Sequence, residues 1–221
     1  MNINKTALLL IDLQKEKGTS DIVGMEEIVA RTQSLIETCR AQSIPVIYTR
    51  HINRGDGVGL ANNEPVNETG SPLYYNSDTD AIDILDEVAP TSSDIVIDKS
   101  RYSGFFESSL DARLKELDIQ HLLIGGVLTD VCVLATVNDA FSLNYQVNLI
   151  SDLSGTTSEG AHMAATLIMA NWIYDLKIFQ ASQMQNLLKG KEYQVWETAA
   201  PDELNFAPES MKDAFKRIKK H

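Results

Sequence analysis

Apolar residues in this chain fall into short unbroken runs separated by amphipathic stretches. Residues 6–13, TALLLIDL, have almost no polar interruption, as a strand buried on both faces requires. Similar runs predict strands at 43–49 (SIPVIYT), 94–98 (DIVID), 122–124 (LLI), 145–150 (YQVNLI) and, more weakly, 175–180 (DLKIFQ). Between them the period changes. In 25–41, Ile28, Ala30, Leu35, Ile36 and Cys39 recur at helical spacing among Glu and Arg. Helices are also predicted at 81–88, broken by Pro90-Thr91-Ser92-Ser93, and at 110–117, capped from the Ser108/Ser109 region. Further helices are expected just after Gly125-Gly126, at 158–172 with Ser158 as cap, and at 181–188. Residues 53–78 show no period and are rich in Gly, Asn, Pro and Ser, as expected of a functional or mobile loop carrying Tyr74 and Tyr75.

Strand–helix alternation of this kind predicts an α/β fold: a three-layer, doubly wound parallel sheet with right-handed crossovers. No repeat or composition break divides the chain. One domain is expected over 1–190. Residues 191–221 form a tail whose Trp196, Phe206 and Phe215 pack on the body or on a neighbouring subunit. Such sheets bind ligands beyond the carboxyl ends of their strands. Asp12, Arg50, His51, Lys99 and the turn before Cys132 all fall there. Asp12 sits between Ile11 and Leu13, where an unpaired carboxylate would be costly, which favours a function over a turn or cap. Cys132 begins a helix, whose free N–H groups and dipole favour the thiolate. Lys99, taken alone, reads as a solvated turn residue, and Cys39 as core.

The composition narrows the chemistry. Hydrophobic residues make up 43% and charged residues 23% of 221, ordinary for a globular protein. A net charge of −12 repels phosphate backbones, which argues against nucleic acid. Two cysteines are too few for a disulfide framework, and no Cys/His cluster has zinc spacing. The opening MNINKTALLLIDLQ is too short an apolar run for a signal peptide, and no stretch reaches membrane-spanning length, so a cytoplasmic protein is expected. Gly55-Asp56-Gly57-Val58-Gly59 lacks the spacing of a nucleotide loop.

A thiol, a carboxylate and an ammonium at one edge form a consistent nucleophilic apparatus. Asp12 can take the thiol proton, and Lys99 can hold Asp12 and stabilise negative charge. The four histidines, His51, His121, His162 and His221, have no obvious spacing to Cys132. At these residues the chain resembles the cysteine hydrolases of the isochorismatase-like superfamily, which include nicotinamidases, N-carbamoylsarcosine amidohydrolases and ureidoacrylate amidohydrolases. The segments that carry the resemblance are LLIDLQ at 9–14, YTR at 48–50, KSRYSGF at 99–105 and GGVLTDVCV at 125–133, with Thr136, Asp139 and Ala140. It runs from about residue 6 to residue 180.

The resemblance implies six parallel strands in the order 3-2-1-4-5-6, and a catalytic triad of Asp12, Lys99 and Cys132. It implies a cis peptide between Val127 and Leu128 that helps aim the Leu128 and Cys132 N–H groups at an oxyanion. It also implies a homodimer or homotetramer, in which a neighbour's loop can complete the pocket. The activity expected is hydrolysis of a small amide or carbamoyl (ureido) compound through a thioester. The alternatives are a metal-free, nicotinamidase-like deamidase and a binding protein with the triad idle. Isochorismatases proper lack the nucleophilic cysteine. Nicotinamidases carry an Asp and two His after the second strand, whereas this chain reads Arg50-His51-Ile52-Asn53-Arg54, so no metal and no cofactor is expected. Lys17 stands where relatives place a pocket Phe, leaving Tyr102, Phe105 or Trp172 to supply a ring. Gln14, Arg50, Tyr102 and Phe105 are the expected substrate contacts, with Arg50 equally suited to a structural ion pair.

Overall fold

The computed structural model describes residues 1–219; residues 220 and 221, the end of the expected 191–221 tail and including His221, lie outside the described residues. The alternation seen in the sequence becomes one seven-stranded sheet. In chain order the elements are β1 (Thr6–Ile11), α1 (Met25–Ala41), β2 (Val46–His51), β3 (Ile95–Lys99), α2 (Leu110–Glu116), β4 (His121–Val127) and α3 (Leu134–Ser142). Next come β5 (Gln146–Gly155), α4 (Glu159–Trp172), β6 (Lys177–Phe179), α5 (Ala181–Leu188), β7 (Trp196–Glu197) and α6 (Met211–Lys219). The strand order is β3-β2-β1-β4-β5-β6-β7, parallel except for β7, which runs antiparallel on β6. The expected order of six therefore stands, and the tail adds a seventh strand too short to show any period.

The continuous apolar run of β1 is explained by its two faces. Ala7, Leu9 and Ile11 pack with Leu110, Leu114, Val133, Val137 and Leu167 of α2, the Cys132 turn, α3 and α4. Leu8 and Leu10 pack with Leu35, Cys39, Met184 and Leu188 of α1 and α5. Full burial of such side chains contributes about 1.5–3 kcal/mol each, which is why the central strand tolerates so little polarity. Tail residues Trp196 and Phe215 are buried in the first of these layers, and α6 packs against α4.

Two expected elements differ. The helix expected over 81–88 is two separate 3-10 turns, Asp80–Ile82 and Asp86–Val88. Between them the backbone pairs with the chain after β1: Lys15 N–H donates to Asp83 O at 2.8 Å and Leu85 N–H to Leu13 O at 2.9 Å. Those tertiary hydrogen bonds outcompete a marginal short helix. In addition, β5 runs five residues past its expected end at 150, because the pairing with β4 shifts register and resumes as Gly126–Ser154 and Val127–Gly155.

Candidate active site

Five chain segments converge beyond the carboxyl ends of β1, β2, β3 and β4. Asp12 follows β1 with φ at 51°, a left-handed conformation that Asp tolerates better than branched residues. Its N–H stays tied to β2 through Thr49 O at 3.3 Å, and the Thr49 hydroxyl donates to Asp12 Oδ1 at 2.7 Å. Lys99, the last residue of β3, puts its Nζ 2.6 Å from Asp12 Oδ2. The same ammonium donates to Arg101 O at 3.0 Å and lies 3.6 Å from Cys132 Sγ. Both charged side chains are fully buried. Taking two ions out of water is costly, and close pairing offsets that cost only while both partners are present.

Glycine sets the approach of β4. Gly126 has φ at 127°, and a Cβ there would lie 2.2 Å from Ile11 O. Only glycine lets the end of β4 lie this close to Asp12. The Val127–Leu128 peptide that follows is cis. Cys132 then lies in one turn of π-helix, Thr129–Val133, in which Val133 N–H reaches back to Leu128 O at 3.1 Å. Two side chains brace this turn. The Thr136 hydroxyl donates to Cys132 O at 2.7 Å and accepts from Gly104 N–H at 2.9 Å. Thr129 Oγ1 lies 2.9 Å from His162 Nδ1.

The electrostatics correct one expectation. A helix start was expected to favour the thiolate, but burial pushes the Cys132 thiol up, the Asp12 charge adds to it, and Lys99 only partly opposes them. The group therefore rests as a thiol, with the Asp12 carboxylate beside it.

The side chains grouped by sequence reasoning separate in space. Arg50 makes a bidentate ion pair with Asp98 on the neighbouring strand, at 2.8 and 3.0 Å, and is outside the lining of the cavity that His51 borders. Its guanidinium is committed to the structural ion pair. Gln14 is fully buried and spends its amide on backbone: Oε1 accepts from His51 N–H at 2.7 Å, and Nε2 donates to His51 O and Ile82 O, each at 3.0 Å. Phe105 stacks on Tyr145 with ring centres 5.7 Å apart, and Trp172 is exposed at the end of α4. Tyr102 is 60% exposed and does line the cavity. Lys17 is exposed and outside that lining.

Sequence reasoning placed His51 at this edge but missed that it lies beside Cys132. Its side chain is buried, stacked on Tyr75 with ring centres 4.6 Å apart and planes 9° apart. A ring nitrogen, an Asp12 carboxylate oxygen and Cys132 Sγ all lie within 4.8 Å of one another. Strand alternation carried the signal. Thr49 and His51 share one face of β2 and Arg50 the other, so the residue reaching Asp12 predicts where His51 points. Burial, and then Lys99, lower the His51 pKa to about 4. These three donors have the types a metal uses, but the Lys99 ammonium already lies against two of them and opposes a second cation there.

Beside them, a cavity of about 690 Å³ reaches the group through His51 and is lined by that residue, Tyr74, Tyr75, Ser103, Tyr102 and Phe106, with Asn62, Asn63, Glu64 and Arg101, while Asp12, Lys99 and Cys132 lie behind this lining. Its cover is the 53–78 loop. Asn53 N–H donates to Tyr75 O at 2.8 Å, Tyr75 N–H donates to the buried Glu16 carboxylate, and Arg101 Nη1 donates to Gly59 O at 3.1 Å. The Tyr75 ring is thus part of the cavity lining, and Lys17 is not. A separate cleft of about 440 Å³, at the end of β5 beside Asp152, shares no lining residue with this one.

The model of the Isochorismatase domain matches residues 6–177 of this chain. The chain belongs to the isochorismatase family. It is a hydrolase of that family and carries the family's sheet order. Among its isochorismatase-family relatives, the ureidoacrylate amidohydrolase RutB of Serratia proteamaculans is 30% identical over 205 residues, covering 79% of this chain and 81% of its own. RutB of Acinetobacter baylyi is 32% identical over 165 residues, 64% of this chain and 66% of its own. Among solved structures, a cysteine hydrolase from Pseudomonas syringae pv. phaseolicola superposes with a TM-score of 0.74 at 23% identity. It covers 86% of this chain and 95% of that one, a likeness of fold alone. No helix among the described residues is long and apolar enough to cross a membrane.

Proposed function

We propose that this isochorismatase-family hydrolase cleaves the C–N bond of a small amide or ureido compound through a thioester on Cys132. The observation that carries this reading is the position of Lys99 Nζ, 2.6 Å from Asp12 and 3.6 Å from the Cys132 sulfur. Similarity to ureidoacrylate amidohydrolases favours the ureido class, and the 690 Å³ cavity suits a substrate of metabolite size.

In the first half-reaction Asp12 takes the Cys132 proton as the sulfur attacks the carbonyl carbon, and the C=O electron pair moves onto oxygen. The Leu128 and Cys132 N–H groups are assigned to hold that oxyanion. The intermediate collapses, the C–N bond breaks, and Asp12 returns the proton to the leaving nitrogen. In the second half, Asp12 takes a proton from water as it attacks the thioester. The acid is released, and the proton returns to the thiolate. Lys99 holds the Asp12 carboxylate in place between these transfers and balances charge on the sulfur.

The test is ammonia release from a panel containing ureidoacrylate, N-carbamoylglycine, nicotinamide and simple primary amides. Wild type should turn over a member of the ureido group, and Cys132→Ala should lose about a thousandfold or more of that rate. Turnover unchanged in Cys132→Ala would end the thioester scheme. Turnover of nicotinamide alone would favour the deamidase alternative.

A further inference from the structure

The mechanism above makes no use of His51, although its ring lies beside Asp12 and Cys132. It is 4% exposed, and neither ring nitrogen makes a well-formed hydrogen bond among the described residues, the Asn53 side chain being the polar neighbour that acts on it. Each unsatisfied buried polar group costs about 1–3 kcal/mol, and native structures rarely leave two on one ring without a use. The ring cannot swing away to find partners. Gln14 clamps its backbone N–H and C=O, the β2–β3 ladder pairs it with Lys99, and Tyr75 covers one face. What remains open to it is the cavity, which it helps to line.

The position of the ring says what would complete it. The nitrogen expelled in the first half-reaction must lie beside Asp12, which protonates it, while its carbonyl carbon lies beside Cys132. Donor atoms of Asp12, Cys132 and His51 are all within 4.8 Å of one another. A nitrogen seated near the centre of that triangle is within hydrogen-bonding reach of all three. Resting on the thioester reading, we propose that His51 is the substrate-positioning residue for the leaving group: one ring nitrogen accepts a hydrogen bond from the N–H of the scissile amide or ureide.

Burial and the Lys99 charge keep the imidazole neutral, so it offers an acceptor as well as a donor. Accepting from the leaving N–H fixes the rotation of that nitrogen and turns its developing lone pair toward the proton on Asp12. The substrate class follows: amides and ureides whose leaving nitrogen carries at least one N–H, the primary ones above all. An ester of the same acyl group has no such hydrogen to offer.

Two compounds with a common acyl group separate this role from a structural one: N-carbamoylglycine, which releases ammonia, and N-methoxycarbonylglycine, which releases methanol. His51→Phe keeps a ring against Tyr75 and removes both nitrogens, whereas His51→Gln restores an acceptor. The expected result is a drop in kcat of about tenfold or more on the ureide in His51→Phe, with the methoxy compound changed by less than about threefold, and partial recovery in His51→Gln. Labelling of Cys132 by methyl methanethiolsulfonate, which carries no N–H, should proceed at the wild-type rate and show the triad intact. Equal losses on both compounds, or no loss on either, would overturn the proposal.

If wild type hydrolyses neither compound, the ureido reading falls and His51 is judged by binding alone. Calorimetry of the primary amide of the panel that wild type does turn over, with Cys132→Ala protein, should then show affinity falling about tenfold when His51→Phe is added. Unchanged affinity, or no binding to the Cys132→Ala protein, counts against the role.

Discussion

The two cysteines of this chain are almost equally hidden from water, 0% exposed for Cys39 and 5% for Cys132, and both are free thiols whose pKa is raised by burial. Cys39 is raised to about 12 with burial as the sole cause, among Leu35, Ile36 and the other apolar side chains between α1 and the sheet. Cys132 faces a carboxylate, an ammonium and an imidazole, and a cavity opens over the imidazole. Burial and a raised pKa therefore do not tell the two thiols apart; on the proposed reading, the adjacent groups that can move a proton and balance charge do. One cysteine is core, and the other sits where three strand ends and a π-turn bring charge into the interior.

The comparison can be broken most forcefully at Lys99. Replacing it by Met leaves Asp12 buried without its counter-charge, and the protein should lose on the order of 3–5 kcal/mol of stability in urea titration. Asp12→Asn in the Lys99→Met background should recover part of that loss. A Lys99→Met protein as stable as wild type would show the pair to be more hydrated than its burial implies.

A smaller effect is expected from pH. His51 is neutral in the folded protein, with a pKa lowered to about 4, and titrates near 6.5 when unfolded. The unfolded chain thus binds the extra proton first. Stability is full above about pH 6.5 and declines as pH falls toward 4, by on the order of 3 kcal/mol from this group. Urea titrations from pH 7.5 to 4.5 should show a shallower decline in His51→Phe than in wild type. Identical slopes would place the His51 ring in water.

The smallest effect concerns the two thiols directly. Iodoacetamide should alkylate Cys132 about a hundredfold faster than Cys39. Peptide mapping after limited alkylation reads both sites at once, and Cys39→Ala should leave the Cys132 rate unchanged. Faster labelling of Cys39 would reverse the assignment of roles.

Much of this was legible from the chain. Unbroken apolar runs such as that of β1 report a strand covered on both faces, since burial leaves no place for polar side chains. The order of elements then places Asp12, Lys99 and Cys132 at one edge of the sheet, and local pattern is sufficient for that. Elements decided by neighbours were not legible. The 80–88 segment is pulled out of helix by hydrogen bonds to the chain after β1, and β7 exists only because β6 offers an edge.

The same division runs through the site. The sequence by itself determined the doubly wound sheet and which polar residues end its strands, because hydrophobic period and strand direction are local properties. Only the tertiary structure decided which of those residues face one another. It turned Arg50 onto Asp98, spent Gln14 on the His51 backbone, and brought the His51 ring to Asp12 and Cys132. Contacts between strands separated by many residues depend on register and on the side a pleat presents, and a single chain shows these only once it has folded.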